Sequence, residues 1–312
     1  MTSRPRNLLH VIAPAPIPGE AERWIDALPV QRDLCAFPEQ LHTHHVSSAN
    51  GTGMVPGVDG LWSRELPLAV RTADCVPVLV WDPHSMVRAL IHAGRQGIAA
   101  GIIEEAIRVL PARDHVTKRL RVWLGPHIGP CCYQFEASHP LAAVLANTLP
   151  HGSCLHRETV RIDLSKEVAT RFLTAGVKER HIGVDRRCTS CHTIGLPSHK
   201  RERENRKTAL LTLSSKPGPT GDSLMNIDPE LLKILACPET KEPVSLASDE
   251  LVAKLNSLIE KGGVKNRGGD NVTETMDAGL LREDGRFLYP IRDDIPVMLI
   301  DEAIEIPPLN IS

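Results

Sequence analysis

The apolar run Val76-Pro77-Val78-Leu79-Val80-Trp81 is the clearest structural signal in this sequence, because its length and composition are typical of a buried strand. Asp82-Pro83-His84-Ser85 follows with residues that favour a turn. Residues 87–91 are again apolar except for Arg88, and they predict a strand that returns beside the first, as an antiparallel hairpin. Cys75 precedes the first strand and His92 follows the second. We therefore expect these two side chains to lie side by side at the open end of the hairpin.

Helices and further strands surround this hairpin in the sequence. Residues 98–110 carry apolar side chains at helical spacing, and residues 120–124 form another apolar run that predicts a strand. Ser138 before Pro140 predicts the start of a helix that continues to residue 149. A further helix is predicted over residues 164–175, ended by Gly176. Strands and helices are mixed along the chain, so the fold class is α/β or α+β.

The composition is that of a globular protein and excludes several functions. The chain has 312 residues, enough for two domains, with 42% hydrophobic and 24% charged residues. The net charge of −2 and the low aromatic content of 3% disfavour a nucleic-acid-binding surface. No apolar run is long enough to predict a membrane span. Eight cysteines are too few for a disulfide scaffold, and the N-terminal apolar stretch does not predict a signal peptide. We expect a cytoplasmic protein with reduced thiols.

The chain divides into two parts of different composition. All 14 histidines and seven of the eight cysteines precede residue 200. From Met225 onward the sequence is acidic, with nine Lys and Arg against 17 Asp and Glu. The stretch between the parts is rich in Ser, Gly and Pro and is typical of a linker. We predict an enzyme domain over residues 1–213, a linker over 214–224 and a small module over 225–312.

Three residues of the first part form a candidate metal site. His42, Cys75 and His92 supply two imidazoles and a thiolate, a ligand set that suits Zn²⁺. Three protein ligands leave a fourth position for water, whose pKa zinc lowers to about 7. Asp74 is next to Cys75 and is a candidate to orient a ligand or to accept a proton. His44 and His45 compete with His42 as the third ligand, and a buried cysteine and ordinary histidines are the alternative interpretation.

Two further clusters carry possible chemistry. Cys188-Thr189-Ser190-Cys191-His192 matches the haem-attachment pattern C-x-x-C-H, but haem attachment needs an exported protein. A four-cysteine zinc site needs a second C-x-x-C, whereas Cys131 and Cys132 are adjacent, so we interpret residues 188–192 as a structural turn or an accessory thiol pair. The charged run over residues 199–207 predicts either a solvated face or a clamp for phosphate or a carboxylate.

These motifs occur together in an order that resembles a known family. The order is Gln40-x-His42, Asp59-Gly60 and Thr72-Ala73-Asp74-Cys75-x-Pro77-Val78-Leu79, followed by further matching segments. Those further segments are His92-Ala93-Gly94, Gly125-Pro126-x-Ile128-Gly129-Pro130-Cys131-Cys132-Tyr133, Asp163-Leu164, Cys188-Thr189-x-Cys191 and Ser198-x-Lys200-Arg201. Over residues 36–213 the sequence is similar to the multicopper polyphenol oxidase, or laccase-domain, family, now regarded as purine nucleoside phosphorylases.

The resemblance implies a fold, an activity and a site. It implies a mixed α/β sandwich, and phosphorolysis of adenosine, inosine and methylthioadenosine together with adenosine deamination. It places the metal or catalytic triad on His42, Cys75 and His92. The usual arginine of the family's His-Ala-Gly-Trp-Arg-Gly segment is here Gln96, and we expect the displaced Arg95 to turn elsewhere. The remaining candidates for binding phosphate or substrate are Arg71, Arg95, Gln96 and Arg206.

The acidic part resembles a different family. Residues 228–238 and 288–300 are similar to small zinc-ribbon-like proteins related to tRNA-methyltransferase activators, and the similarity extends over residues 225–305. Asp228 and Pro229 are a good helix start. Thr240 stands where the ribbon has its second cysteine, so Cys237 alone cannot hold zinc, and we predict a metal-free, β-rich module. This resemblance indicates a fusion of two units, with a misjoined gene model as the alternative. The acidic tail is a candidate to dock a protein partner such as a methyltransferase.

Several functions are therefore open. The leading hypothesis is a zinc-dependent enzyme that acts on purine nucleosides, with a nucleoside and phosphate as its small-molecule partners. A copper-dependent polyphenol oxidoreductase would use the same three ligands, since Cu²⁺ also binds a thiolate and imidazoles. A cysteine hydrolase would use Cys75 as nucleophile and His92 as its base. A binding protein with weakened catalysis is the non-enzymatic alternative.

Overall fold

The computed structural model describes residues 5, 7–14, 28–111, 116–192, 195–202, 208–215 and 227–306. Within these ranges the chain forms four β-sheets and seven α-helices. No helix of the described part is both long enough and apolar enough to cross a lipid bilayer.

The strands are numbered in chain order. They are β1 Leu8–Pro14, β2 Ala36–Pro38, β3 Val46–Ser48, β4 Gly53–Val55, β5 Gly60–Ser63, β6 Leu68–Thr72, β7 Val76–Trp81, β8 Arg88–Ala93, β9 Arg121–Leu124, β10 Gln134–Glu136, β11 Ser153–His156, β12 Thr159–Ile162, β13 Ile182–Val184, β14 Thr208–Ser214, β15 Val244–Leu246, β16 Ala278–Arg282, β17 Phe287–Arg292, β18 Ile295–Pro296 and β19 Ile304–Glu305. The helices are α1 Arg95–Ala99, α2 Ile102–Val109, α3 Pro140–Thr148, α4 Leu164–Thr174, α5 His199–Glu202, α6 Pro229–Ile234 and α7 Asp249–Glu260.

The predicted hairpin is confirmed as β7 and β8, and it lies at the centre of a six-stranded sheet. The strand order of this sheet is β13-β9-β7-β8-β5-β3. Alternate side chains of β7 face opposite sides, as the two-residue period of a strand requires. Val78 and Val80 pack into the cluster that contains the helices, whereas Leu79 packs against the second sheet.

A five-stranded sheet, ordered β1-β14-β6-β2-β4, covers one face of the six-stranded sheet. Leu68 and Val70 of this sheet and Leu79 and Leu90 of the hairpin share one buried cluster. The two sheets therefore form a sandwich, and the predicted mixed α/β fold class is confirmed.

Helices α1 to α4 cover the other face of the six-stranded sheet, where Ile98, Ile103, Leu145 and Phe172 are buried. The helix predicted over residues 98–110 is two helices, because Gly101 lies between them with φ of 94°. That left-handed conformation suits glycine and ends the first helix. The helix expected to start at Ser138 has His139 as its N-cap and Pro140 as its first residue.

The acidic C-terminal residues 227–306 form a five-stranded sheet of β15 to β19 with helices α6 and α7. Asp228 caps α6 and Pro229 is its first residue, as predicted. This module packs on the outer face of the β1–β14 sheet, where Val11 and Leu213 share a buried cluster with Leu231 and Tyr289. Of the predicted linker, Ser214 ends β14, Ser215 follows it, and residues 216–224 lie outside the described residues.

Candidate metal centre and cavity

The β7–β8 hairpin brings Cys75 next to His92. In its register Val76 faces Ala93 and Pro77 faces His92, so Cys75, which directly precedes β7, lies beside the end of β8 that carries His92. His42 approaches the pair from the loop after β2. One ligand atom of each of His42, Cys75 and His92 lies within 4.8 Å of the others. The structure thus brings together the three residues that the sequence analysis predicted as candidate metal ligands.

The loop that carries His42 is held by one buried carboxylate, that of Asp59. Its oxygens accept hydrogen bonds from the backbone N–H groups of Leu41, His42 and Thr43, at 3.1, 2.9 and 2.7 Å. The Thr43 hydroxyl donates a fourth hydrogen bond at 2.8 Å. His42 has φ of 61°, a left-handed conformation that a non-glycine residue adopts at a cost. The bonds to Asp59 offset that cost and hold the loop in place.

Asp59 also orients the second histidine. One of its oxygens lies 2.8 Å from His92 Nδ1, which leaves Nε2 of that ring as its other nitrogen for a ligand or a proton. Burial alone would raise the pKa of Asp59, but the hydrogen bonds from His92 and Thr43 lower it below its ordinary value. A carboxylate behind a histidine is the usual partner of a metal-bound imidazole. The sequence alone placed Asp59 in the Asp59-Gly60 motif but gave it no role, and that motif was the available signal.

Charge at the centre favours a thiolate beside an imidazolium. Burial raises the pKa of Cys75, but the positive charge of His92 and a hydrogen bond with His42 outweigh burial and lower it to about 6. Burial lowers the pKa of His92, but the Cys75 thiolate and Asp59 outweigh burial and raise it to about 9. Without a metal, the pair is therefore charged at neutral pH.

Gly94 makes this close approach possible. A Cβ atom at residue 94 would lie 3.0 Å from Cys75 Sγ and 3.0 Å from His42 Cδ2. Those distances are shorter than ordinary van der Waals contact, so only glycine leaves the thiol and the imidazole undisturbed.

The three side chains lie in the wall of a cavity of about 760 Å³, a volume that suits a small-molecule ligand. Arg71, Arg95 and Lys200 give the lining positive groups, and Tyr133 and Phe135 give it aromatic ones. Gln96 also lines the cavity. The expectation that Arg95 turns elsewhere is therefore wrong: both residues face the cavity from the first turn of α1. Arg206 lies outside the described residues.

Asp74, expected to orient a ligand or to accept a proton, lines the same cavity. One carboxylate oxygen accepts a hydrogen bond from the Thr189 hydroxyl at 2.7 Å, and the other from the Lys200 backbone N–H at 2.6 Å. Its φ of 85° is left-handed, like that of His42. These contacts tie the two flanking loops to the start of β7.

His44 and His45, the competing candidates, contact each other with ring centroids 4.3 Å apart and are not in the His42–Cys75–His92 group. The donor set, its spacing and the Asp59 contact all fit a metal ion held by His42, Cys75 and His92.

The expectation that the adjacent Cys131 and Cys132 cannot join Cys188 and Cys191 in a four-cysteine site was wrong. Cys131, Cys132, Cys188 and Cys191 converge, with all four Sγ atoms within 4.8 Å of one another. A site made of two C-x-x-C motifs takes each pair of ligands from positions three residues apart. Here the loop after β9 instead brings the adjacent Cys131 and Cys132 to the distant C-x-x-C of Cys188 and Cys191.

Comparison with known proteins agrees with this architecture. Residues 13–213 match the family model for the multi-copper polyphenol oxidoreductase laccase. The chain belongs to this laccase family. Over 198 residues it is 37% identical to a purine nucleoside phosphorylase, YlmD, of Geobacillus stearothermophilus, covering 58% of this chain and 70% of that protein. It is 35% identical over 176 residues to a purine nucleoside phosphorylase of Streptomyces coelicolor, covering 54% and 71%.

Two solved structures share the fold of this chain. The crystal structure of YlmD from G. stearothermophilus superposes with a TM-score of 0.54 at 28% identity, over 63% of this chain and 79% of that chain. YfiH of Bacillus licheniformis has a TM-score of 0.52 at 23% identity, over the same shares.

Proposed function

We propose that this protein is a metal-dependent purine nucleoside phosphorylase. The observation that carries the proposal is the position of the His42–Cys75–His92 group in the wall of a cavity that also presents cationic and aromatic side chains. The names of its relatives in the laccase family support the same reaction class. Adenosine, inosine and methylthioadenosine are the proposed substrates, and adenosine deamination is the proposed second reaction.

The cavity can accommodate the two reactants by their chemistry. Arg71, Arg95 and Lys200 are suited to phosphate, because cationic donors form strong hydrogen bonds with its oxygens. Tyr133 and Phe135 offer aromatic faces for the purine. Burial raises the pKa of Tyr133 to about 12, so its phenol stays protonated at neutral pH and is available as a hydrogen-bond donor to a nucleoside.

In phosphorolysis an oxygen of dihydrogen phosphate forms a bond to C1′ of the sugar while the bond from C1′ to the purine nitrogen breaks. The electron pair of that bond goes to the purine, which takes the proton of the phosphate, and the products are the free base and the sugar 1-phosphate. His42, Cys75 and His92 would hold a metal ion, which would supply Lewis acidity toward an oxygen of phosphate or water. Asp59 keeps His92 oriented, and Arg95 and Lys200 hold negative charge as it shifts.

The test is a substrate panel with the full-length chain. We expect inosine to give hypoxanthine and ribose 1-phosphate only when phosphate is present, and adenosine to give adenine in the same way. Conversion of adenosine to inosine without phosphate would report deamination separately. If no base is released from any nucleoside at any metal loading, phosphorolysis is refuted.

A copper-dependent polyphenol oxidoreductase is the second candidate, favoured by the description of the matching family model. A thiolate with two imidazoles is a ligand set that copper accepts, and a copper–thiolate site is strongly coloured. A colourless protein after copper loading would contradict this candidate.

A cysteine hydrolase is favoured by a different observation, the hydrogen-bonded order Cys75, His92, Asp59. That order resembles a nucleophile, its base and an orienting carboxylate. Stoichiometric alkylation of Cys75 in the metal-loaded protein would support it, whereas protection of Cys75 by metal would contradict it. A cytoplasmic location and a protein partner for the acidic module stay predictions.

A further inference from the structure

Four cysteines meet on the loops beside the cavity, and none of them belongs to the His42–Cys75–His92 group. Cys131 and Cys132 lie in the loop after β9, and Cys188 and Cys191 lie in the loop after β13. All four are free thiols, and the sulfur atoms of Cys131 and Cys191 are 3.7 Å apart. In a tetrahedral zinc site with Zn–S bonds of about 2.3 Å, neighbouring sulfurs are about 3.8 Å apart.

We propose that Cys131, Cys132, Cys188 and Cys191 bind one structural Zn²⁺ ion. Each thiol would release its proton to the solvent on binding, and four thiolates would leave no open position for a substrate or water. This second site is separate from the proposed active site and does not depend on the proposed function.

The backbone around Cys188 is arranged to stabilise a thiolate. The N–H of Gly129 donates to Cys188 Sγ at 3.2 Å. Such donors partner the thiolate ligands of a metal, because they stabilise the negative sulfur. Glycine at 129 leaves the space, since a Cβ there would lie 3.2 Å from Cys131 Sγ and 3.7 Å from Cys188 Sγ.

The loop between Cys188 and Cys191 is held in place by a neighbouring side chain, that of Arg201. The Arg201 guanidinium donates to the carbonyl oxygens of Thr189 and Ser190, at 2.9 and 3.3 Å, inside the C-x-x-C loop. The same guanidinium is paired with the Glu202 carboxylate at 2.7 Å, so it holds the C-x-x-C loop in place rather than supplying an unpaired positive charge.

The size of the cluster favours a single ion. Sulfurs that all lie within 4.8 Å of one another can surround one metal, whereas a multi-iron cluster also has to enclose inorganic sulfide. Tetrahedral four-sulfur coordination is typical of zinc. A disulfide between Cys131 and Cys191 is the competing outcome, and it would exclude metal from these two sulfurs.

The ion would connect two loops that build the cavity wall. His127 and Cys188 form a parallel bridge, and the Thr189 N–H donates to the His127 carbonyl at 3.0 Å. Thr189 is fully buried and its hydroxyl holds Asp74. Tyr133, which lines the cavity, follows Cys132 directly. The zinc site would therefore fix the wall that carries Tyr133 and Asp74.

Metal analysis of full-length variants tests the proposal. We expect Cys131→Ser and Cys191→Ser each to lose about one zinc ion per chain relative to the wild type, and Cys75→Ser to keep this ion. Cys154→Ser is the matched control, because Cys154 is an exposed free thiol outside the cluster, and it should lose none. Cobalt-loaded Cys75→Ser should show the intense visible bands of a tetrahedral thiolate site. Unchanged zinc content in both cluster variants would overturn the proposal.

Thiol labelling of the wild type keeps the test valid even if a cluster variant fails to fold. Cys131, Cys191 and Cys154 are all exposed, so without metal all three should react with iodoacetamide. We expect Cys131 and Cys191 to be protected in the protein as purified and to react after treatment with a zinc chelator, whereas Cys154 reacts in both states. Equal labelling of all three before chelation, or protection that only a reductant removes, would overturn the proposal; the second result would identify a disulfide.

Discussion

Replacing Gly94 with alanine tests whether the close contacts around the proposed metal centre determine its affinity for a metal ion. Gly94 has φ of −81° and ψ of 163°, which alanine adopts without strain, so the change acts through its added methyl group. That group would lie 3.0 Å from both Cys75 Sγ and His42 Cδ2, whereas ordinary contact begins at 3.4 Å. Each of the two side chains must therefore retreat by about 0.4 Å, whereas metal–ligand distances tolerate only about 0.2 Å.

We expect metal affinity at this site to fall about 10–100-fold in Gly94→Ala, which corresponds to about 1.4–2.7 kcal/mol. The assay is competition with a chromophoric chelator, in a Cys131→Ser background so that the proposed four-cysteine site does not contribute. Gly51→Ala is the matched control, because no atom lies within 4 Å of its added Cβ. Affinity of Gly94→Ala within about twofold of this control would refute the steric argument.

Three further changes have expected outcomes. Asp59→Asn should lower metal affinity about 10–100-fold in chelator competition, because the new amide cannot accept hydrogen bonds from the loop N–H groups and from His92 together. An unchanged metal affinity would contradict the role of Asp59. In metal-free protein the Cys75 thiolate should persist until the pH falls through about 6, so the alkylation rate of Cys75 should have its midpoint at that pH. His92→Gln should raise this midpoint, because the positive charge of His92 stabilises the thiolate. A midpoint near 9 in the parent protein would contradict the charge pair. Arg88→Met should lower the free energy of unfolding, measured in urea, by about 2–4 kcal/mol with little change in metal affinity. The reason is that the buried Arg88 side chain donates hydrogen bonds to the carbonyls of residues 64 and 66. A loss of unfolding free energy below about 0.5 kcal/mol would contradict this.

The hairpin at the centre of the fold and the proximity of Cys75 and His92 were predictable because they depend on local sequence. The alternation of β7 and β8 and the turn between them determine the hairpin register, and that register alone places Cys75 beside His92. His42 followed from its residue type and its motif.

Features that depend on distant parts of the chain were not predictable in the same way. Asp59 reaches His92 from the start of β5, so its role depends on the pairing of β5 with β8. The four cysteines converge because β13 pairs in parallel with β9, which sets the loops after both strands at one edge. Gly101 interrupts a helical pattern that the apolar spacing alone extends without a break.

The central claim is that metal binding and nucleoside cleavage use one site, and a paired measurement on Cys75→Ser tests it most directly. Zinc content and phosphate-dependent release of hypoxanthine from inosine should be measured on the same preparations of wild type, Cys75→Ser and Cys154→Ser. The account predicts that Cys75→Ser loses about one zinc ion and at least about 100-fold of the activity, while Cys154→Ser keeps both. Activity that persists in Cys75→Ser after the ion is lost would contradict the account.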